Sequence, residues 1–176
     1  IQDSLVGSEM CIRDRLNDDQ KRSFMTYDYM KMYVNGNSPW TNTMETNVEI
    51  FLKFGLAEDY YEITQPIYAG WDEDENRNSF KIDLNWLTAL KQSDTTKIKR
   101  YYPKDRILDS ANVRKYIYVN DQGQETGKKV TISGKPALNR LQYFAVGLKN
   151  TGNVPIEGEV WVCLLYTSDA ADDVRS

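Results

Sequence analysis

Apolar and polar residues alternate with a period of two along much of this chain, and no other feature constrains its fold more. Within Asn47–Phe54, every second residue is a large apolar one. Such alternation indicates a strand with one buried face, because successive side chains of a strand point to opposite sides of the sheet. Similar segments predict further strands at Phe24–Val34, Tyr60–Ile67, Phe80–Leu84, Lys115–Val119, Lys129–Ile132, Leu141–Leu148 and Gly158–Val162.

One short helix is predicted at Asp83–Lys91, where three leucines recur at helical spacing. Asp83 or Asn85 can cap its first turn. The polar and basic stretch Gln92–Ser110 is predicted to be a loop. Because many strands follow one another with turn residues between them and no long helices intervene, we predict an all-β fold. Its expected form is an antiparallel jelly-roll-type β-sandwich with one short helix.

The two ends of the chain suggest an origin different from that of its middle. Glu9–Asp14 can be encoded by GAGATGTGTATAAGAGAC and Cys163–Ser168 by TGTCTCTTATACACATCT, whose reverse complement overlaps the first string. Transposon-based sequencing adapters leave such inverted repeats. We therefore expect residues 1–15 and 163–176 to be adapter-derived and residues 16–162 to be a β-sandwich module truncated at both ends. Residues 1–15 are expected to pack poorly, whereas Cys163–Thr167 is apolar enough to extend the last strand.

The composition of residues 16–162 excludes several kinds of functional site. The chain has no histidine, and both cysteines, Cys11 and Cys163, lie in the end segments. A disulfide framework, a Cys/His zinc site and a Ser-His-Asp triad are therefore not expected. The end segments hold six of the 26 acidic and three of the 22 basic residues, which leaves 20 and 19 for the module. This balance is not that of a nucleic-acid-binding protein, and no apolar run approaches the ~20 residues of a membrane-spanning helix.

Acidic residues are the main candidates for catalysis or metal binding. A glycosidase needs two carboxyls ~5–10 Å apart, and the carboxylates of Glu58–Glu62 could supply them, with Glu62 the residue to test. Asp72, Asp74 and Asn76 have the spacing of a calcium loop but lack its glycine and its bidentate glutamate. Acidic runs of this kind are usually solvated. We expect no catalytic, cofactor-binding or metal-binding residues.

Aromatic residues are the candidates for a binding surface. Tyr60 and Tyr61 are predicted to lie on a strand and Trp71 in the acidic loop Gly70–Ser79 that follows it, where they could contact a protein partner or stack against a glycan. Tyrosine and tryptophan also fill sheet faces without any ligand. A core or protein-contact role is favoured over a carbohydrate site.

Several motifs, in a fixed order, carry a resemblance to a known family. EIFLKFG followed by DYYEI resembles the FLRFG and NYYEY strands of the SprA-like proteins, and NWLTALK resembles their LTALK segment. Three later segments resemble the family's GxPxL, GVRNxG and GEVWVNELRL motifs. The likeness departs after Val162, where the mirrored sequence begins. The matching segments are Glu49–Gly55, Asp59–Ile63, Asn85–Lys91, Ser133–Leu138, Val146–Asn150 and Gly158–Val162.

This resemblance implies a function that composition does not reveal. SprA-like proteins are cell-surface, gliding-motility-associated proteins of Bacteroidota that form the outer-membrane translocon of type IX secretion. The chain is then expected to be a non-enzymatic module that contacts other parts of the translocon, accessory secretion proteins or cargo. Membrane contact is expected only through the rest of such a protein, and no cofactor, nucleic acid or small-molecule substrate is implied. The alternative from the residues is a carbohydrate-binding sandwich of a secreted or surface protein.

Overall fold

The structure, a computed structural model, describes residues 2–5, 9–15, 24, 27–36, 48–72, 77–92, 101–103, 112–119 and 122–169. It contains twelve strands and one helix within these ranges. In chain order they are β1 (Gln2–Leu5), β2 (Glu9–Arg15), β3 (Tyr27–Gly36), β4 (Val48–Gly55), β5 (Tyr60–Pro66), β6 (Gly70–Trp71), β7 (Ser79–Asp83), α1 (Leu84–Gln92), β8 (Tyr101–Pro103), β9 (Val113–Val119), β10 (Glu125–Ser133), β11 (Tyr143–Asn150) and β12 (Ile156–Asp169).

The strands form two antiparallel sheets. One has seven strands in the order β2-β11-β4-β5-β10-β9-β8. The other has five: β1, β12 and β3 lie side by side, and β6 and β7 both pair with the far side of β3. The predicted β-sandwich with one short helix is therefore confirmed.

The core lies between the two sheets and is built by the alternating residues that the sequence singled out. In β4, Ile50, Leu52 and Phe54 are each at most 1% exposed. Met30 and Met32 of β3 are fully buried opposite them in the same apolar cluster. Alternation predicted these strands because each has one face turned to the other sheet.

The helix α1 closes one end of this core. Its first turn is capped by Asp83, whose Oδ1 accepts a hydrogen bond from Trp86 N at 3.0 Å, as predicted. Its last turn is held by β9: Arg114 donates to the Lys91 carbonyl at 2.6 Å and Tyr116 to the Leu90 carbonyl at 3.3 Å. These bonds satisfy carbonyls that the end of a helix leaves without partners.

The described residues of both end segments form strands. β12 continues through Cys163 to Asp169 beside β3, so the predicted extension of the last strand is confirmed. Residues 1–15 were expected to pack poorly; the backbone of Gln2–Leu5 and of Glu9–Arg15 nevertheless pairs with β12 and β11, and the packing of their side chains lies outside the described part of the chain. β12 and β11 would be the edge strands of the two sheets without β1 and β2. The exposed backbone groups of an edge strand can pair with almost any extended segment, which explains this result.

The predicted loop at Gln92–Ser110 is only partly open to comparison. Within it, Tyr101–Pro103 forms β8 and pairs with β9, so the prediction is wrong at these residues. Tyr101 and Tyr102 favour strand structure. The loop was predicted because the residues around them are polar and basic. Residues 93–100 and 104–110 of this stretch lie outside the described part of the chain.

Candidate contact surface

Two exposed tryptophans lie in one row across the outer face of the five-stranded sheet. Trp161 of β12 pairs directly with Asn35 of β3, and Asn35 pairs on its other side with Trp71 of β6. Residues paired in this way point to the same side of a sheet. The two tryptophan Cα atoms therefore lie about 10 Å apart, twice the spacing of neighbouring strands. The side chains of Trp71 and Trp161 are 56% and 64% exposed. We call Trp71, Asn35 and Trp161 the tryptophan row.

Neighbouring polar groups hold the two indoles in place. The Asn35 amide, with its oxygen turned toward Trp71, accepts a hydrogen bond from the indole Nε1 at 2.8 Å and donates to the Gly36 carbonyl at 3.0 Å. The Trp161 Nε1 donates to Glu159 Oε2 at 3.4 Å. Both indole nitrogens are thus bonded to neighbouring side chains, while more than half of each tryptophan side chain is exposed.

Buried polar contacts bring β6 to the edge of β3. The side chain of Asn78 is fully buried; it accepts from Tyr68 N at 2.8 Å and donates to the carbonyls of Tyr68 and Gly70 at 2.8 and 2.6 Å. Its own carbonyl accepts from Val34 N at 2.8 Å. A side chain at Gly36 would clash with the Tyr68 carbonyl, so glycine is required for this approach. Together these contacts position Trp71.

The same face continues along β3 with tyrosines and lysines. Tyr33 is two residues before Asn35 and 37% exposed. Further along, Lys31 Nζ lies 5.1 Å and Lys81 Nζ 5.6 Å from the centroid of the Tyr29 ring. Lysine ammonium groups at this distance interact favourably with an aromatic ring. The face therefore carries exposed aromatic rings around the tryptophan row, and two lysines and Asp83 around Tyr29.

The structure separates the three residues that the sequence proposed for contact. Trp71 lies in the tryptophan row. Tyr60 lies on the outer face of the other sheet, half-buried, with Lys53 Nζ only 3.6 Å from its ring centroid. Tyr61 points into the core and is 0% exposed, so the prediction that it contacts a partner is wrong. Adjacent strand residues face opposite sides of a sheet, which prevents Tyr60 and Tyr61 from sharing one surface.

Tyr61 is an unusual core residue. Its ring lies 5.6 Å from that of Phe54, and its hydroxyl has no hydrogen-bond partner among the described residues. Burial raises the pKa of this hydroxyl to about 12, against a smaller lowering by the positive charge of Arg114. Tyr61 also borders a groove of about 330 Å³ beside α1, whose other lining residues include Phe24, Tyr27, Leu84 and Thr88.

The acidic candidates are engaged with the chain itself. Glu62 Oε1 lies 2.8 Å from Lys149 Nζ on the outer face of the seven-stranded sheet. Asp59 Oδ1 accepts a hydrogen bond from Lys135 N at 2.7 Å in a turn. These contacts give both carboxylates structural roles.

The calcium-like segment is described only in part. Asp72 pairs with Arg77, with 3.2 Å between Oδ2 and Nε, whereas Asp74 and Asn76 lie outside the described residues. No cluster of three or more acidic, histidine or cysteine side chains is placed to hold a metal ion within the described ranges.

Two members of the aromatic face were not singled out by the sequence. Tyr33 and Trp161 each lie between two core-facing residues, so alternation places them on the outer face. What the sequence could not supply is the pairing of β12 with β6 through β3, which joins residues 90 positions apart in one row.

Comparisons of this chain with protein-family models, with curated proteins and with solved structures found no significant match. Among the described residues, no helix combines the length and the apolar character that crossing a bilayer requires.

Proposed function

We propose that this chain is a non-catalytic β-sandwich module that makes partner contacts through the face carrying the tryptophan row. The observation that carries this proposal is the exposure of two indoles in register on one face of the five-stranded sheet. Tryptophan and tyrosine are the residues most enriched at binding hot spots. Burying one such ring contributes about 2 kcal/mol, and two together provide a strong drive to association.

The proposed setting is the outer-membrane translocon of type IX secretion. The order of the strand motifs from Glu49 to Val162 supports it, because that order resembles the SprA-like family. Other parts of the translocon, accessory secretion proteins or cargo are the proposed partners. In this setting the module serves protein transport and gliding motility as a scaffold, and only the rest of the protein contacts the membrane.

The genomic reading frame that encodes residues 16–162 tests this setting. We expect it to continue in both directions into a long strand-rich protein and to replace the sequence after Val162 with native strand residues. A frame that closes soon after Val162 would refute the translocon proposal. The same DNA tests the proposed module boundaries, since sequence identical to the chain beyond residue 162 would contradict an adapter origin.

Carbohydrate binding is the second candidate, and the geometry of the tryptophan row favours it specifically. The Cα atoms of the two tryptophans lie about 10 Å apart on one face of the sheet, a spacing that suits alternate rings of an extended glycan chain. Their nitrogens are bonded to Asn35 and Glu159, whose remaining polar atoms lie beside any sugar stacked there.

A glycan array on the full chain discriminates between the two candidates. A carbohydrate module binds saturably, and Trp71→Ala and Trp161→Ala each weaken binding at least ten-fold. Val154→Ala is the matched control, because Val154 is an exposed apolar residue outside the row and should leave binding unchanged. Tyr61 is unsuitable as a surface control because it is buried. No binding by the parent chain would eliminate this candidate.

A further inference from the structure

The edge of the seven-stranded sheet at β11 has an unusual partner. On one side β11 pairs with β4 through eight residues. On the other side it pairs with β2 through seven consecutive residues, from Tyr143 with Arg15 to Lys149 with Glu9, without a bulge. β2 is the outermost strand there, so the edge is closed only by this segment.

Most of β11 lacks the features that normally protect an exposed edge strand, since its only charged residue, Lys149, lies near the end of the strand. Tyr143–Leu148 contains no charged residue and no proline. Edge strands usually carry charges, prolines or bulges, or are very short, because unpaired backbone groups otherwise pair with other chains. The opposite edge of the same sheet follows this rule, since β8 has three residues and ends at Pro103.

The core is also incompletely covered beside β11. Phe144 and Val146 face the core, where Phe144 stacks on Phe54 with ring centroids 5.6 Å apart, yet both are only partly buried. Val162 of β12 is another partly buried member of this cluster. Along β11, the apolar cluster is therefore partly exposed at Phe144 and Val146.

We infer that the β11 edge is an acceptor site for an extended peptide strand, which β2 fills in this chain. The ligand class is a segment that pairs antiparallel with Tyr143–Lys149 and has apolar residues opposite Val146 and Leu148. In β2 the residues at these register positions are Ile12 and Met10. Strand addition of this kind takes its affinity from main-chain hydrogen bonds and its specificity from alternate side chains. This inference is independent of the tryptophan row.

Two neighbouring proline substitutions in the full chain provide the test. Consecutive N–H groups of a strand point to opposite sides, so only one of Cys11 and Ile12 donates toward β11. Of Cys11→Pro and Ile12→Pro, one should therefore release β2 and the other should be tolerated as its matched control. A fluorescent peptide with the sequence of residues 9–15, carrying Cys11→Ser, should bind the released variant at least ten-fold more tightly than the parent or the control.

Hydrogen exchange supplies a second readout that does not depend on the peptide-binding measurement. In the parent chain, the β11 amides that face β2 should exchange slowly, and in the released variant they alone should exchange faster while β4 and β5 stay protected. Addition of the peptide should restore their protection, and a peptide with Ile12→Pro or Cys11→Pro at the donating position should not. Unprotected β11 amides in the parent, or equal peptide binding by all three chains, would overturn the inference.

Discussion

An aromatic side chain is buried on the outer face of one sheet, and two are exposed on the outer face of the other. Phe51 lies on the outer face of the seven-stranded sheet, between Thr64 and Gly147 of the neighbouring strands, yet it is only 3% exposed. Trp71 and Trp161 lie on the outer face of the five-stranded sheet and are more than half exposed. An aromatic residue on an outer face of this sandwich can therefore be either buried or exposed.

Charged side chains of the same face account for the cover over Phe51. Lys149 Nζ lies 4.8 Å from the centroid of the Phe51 ring and is held there by Glu62 at 2.8 Å. Lys129 and Glu49 form a second ion pair on this face, with 2.6 Å between Nζ and Oε1. The aliphatic parts of such side chains cover apolar surface while their charges stay near water. The tryptophan row lacks comparable cover among the described residues, which is consistent with the partner contact that we propose for it.

Of the substitutions that test this comparison, replacement of Phe51 should change the free energy of unfolding most. Phe51→Ala removes a buried ring and should lower the free energy of unfolding by about 3 kcal/mol. Trp161→Ala, the matched change on the other face, should cost no more than about 0.5 kcal/mol because that ring is mostly exposed. Chemical denaturation of both variants measures the difference, and equal losses would show that the two faces do not differ as described.

Replacing Tyr61 tests the third aromatic environment, inside the core. Tyr61→Phe removes a buried hydroxyl without a partner and should raise the free energy of unfolding by about 1 kcal/mol at neutral pH. The parent chain should lose stability as pH rises from 10 to about 12, since the unfolded phenol ionises near 10 and the folded one has a pKa of about 12. The variant should lack this component. Identical alkaline profiles for the two chains would contradict the assignment.

Replacing Asn35 should loosen one indole of the tryptophan row. Asn35→Ala removes the acceptor of the Trp71 Nε1 proton and should speed exchange of that proton several-fold, as measured by nuclear magnetic resonance. The stability cost should stay near 1 kcal/mol, the usual net value of one hydrogen bond. The Trp161 indole, bonded to Glu159, is the internal control. An unchanged Trp71 proton would indicate that Asn35 does not position this ring.

Replacing Glu62 should have the smallest effect. Glu62→Gln weakens the pair with Lys149 and should cost less than about 1 kcal/mol, with less difference from the parent at high salt. Thermal unfolding at low and high ionic strength measures this change. A glycoside-hydrolysing activity that disappears in Glu62→Gln would contradict the non-catalytic proposal.

Local sequence patterns were sufficient to predict most of the fold. The tryptophan row could not be predicted in this way, because it depends on which strands pair with one another. Alternation in Val48–Gly55 and the capping residue Asp83 were sufficient to predict β4 and the start of α1. The same rule puts Tyr60 and Tyr61 on opposite faces, but it does not say which face is inward. The tryptophan row depends on register between distant strands, and register is set by packing and turn geometry that no local window contains.

Oxidative footprinting of the two tryptophans tests the central claim most directly. Trp71 and Trp161 should react readily in this chain, and both should become protected in the proposed translocon protein assembled with its partners, while exposed Val154 or its surroundings change little. Protection of both indoles together is the predicted result. Equal reactivity of both indoles before and after assembly would contradict the proposal that this face makes the contacts.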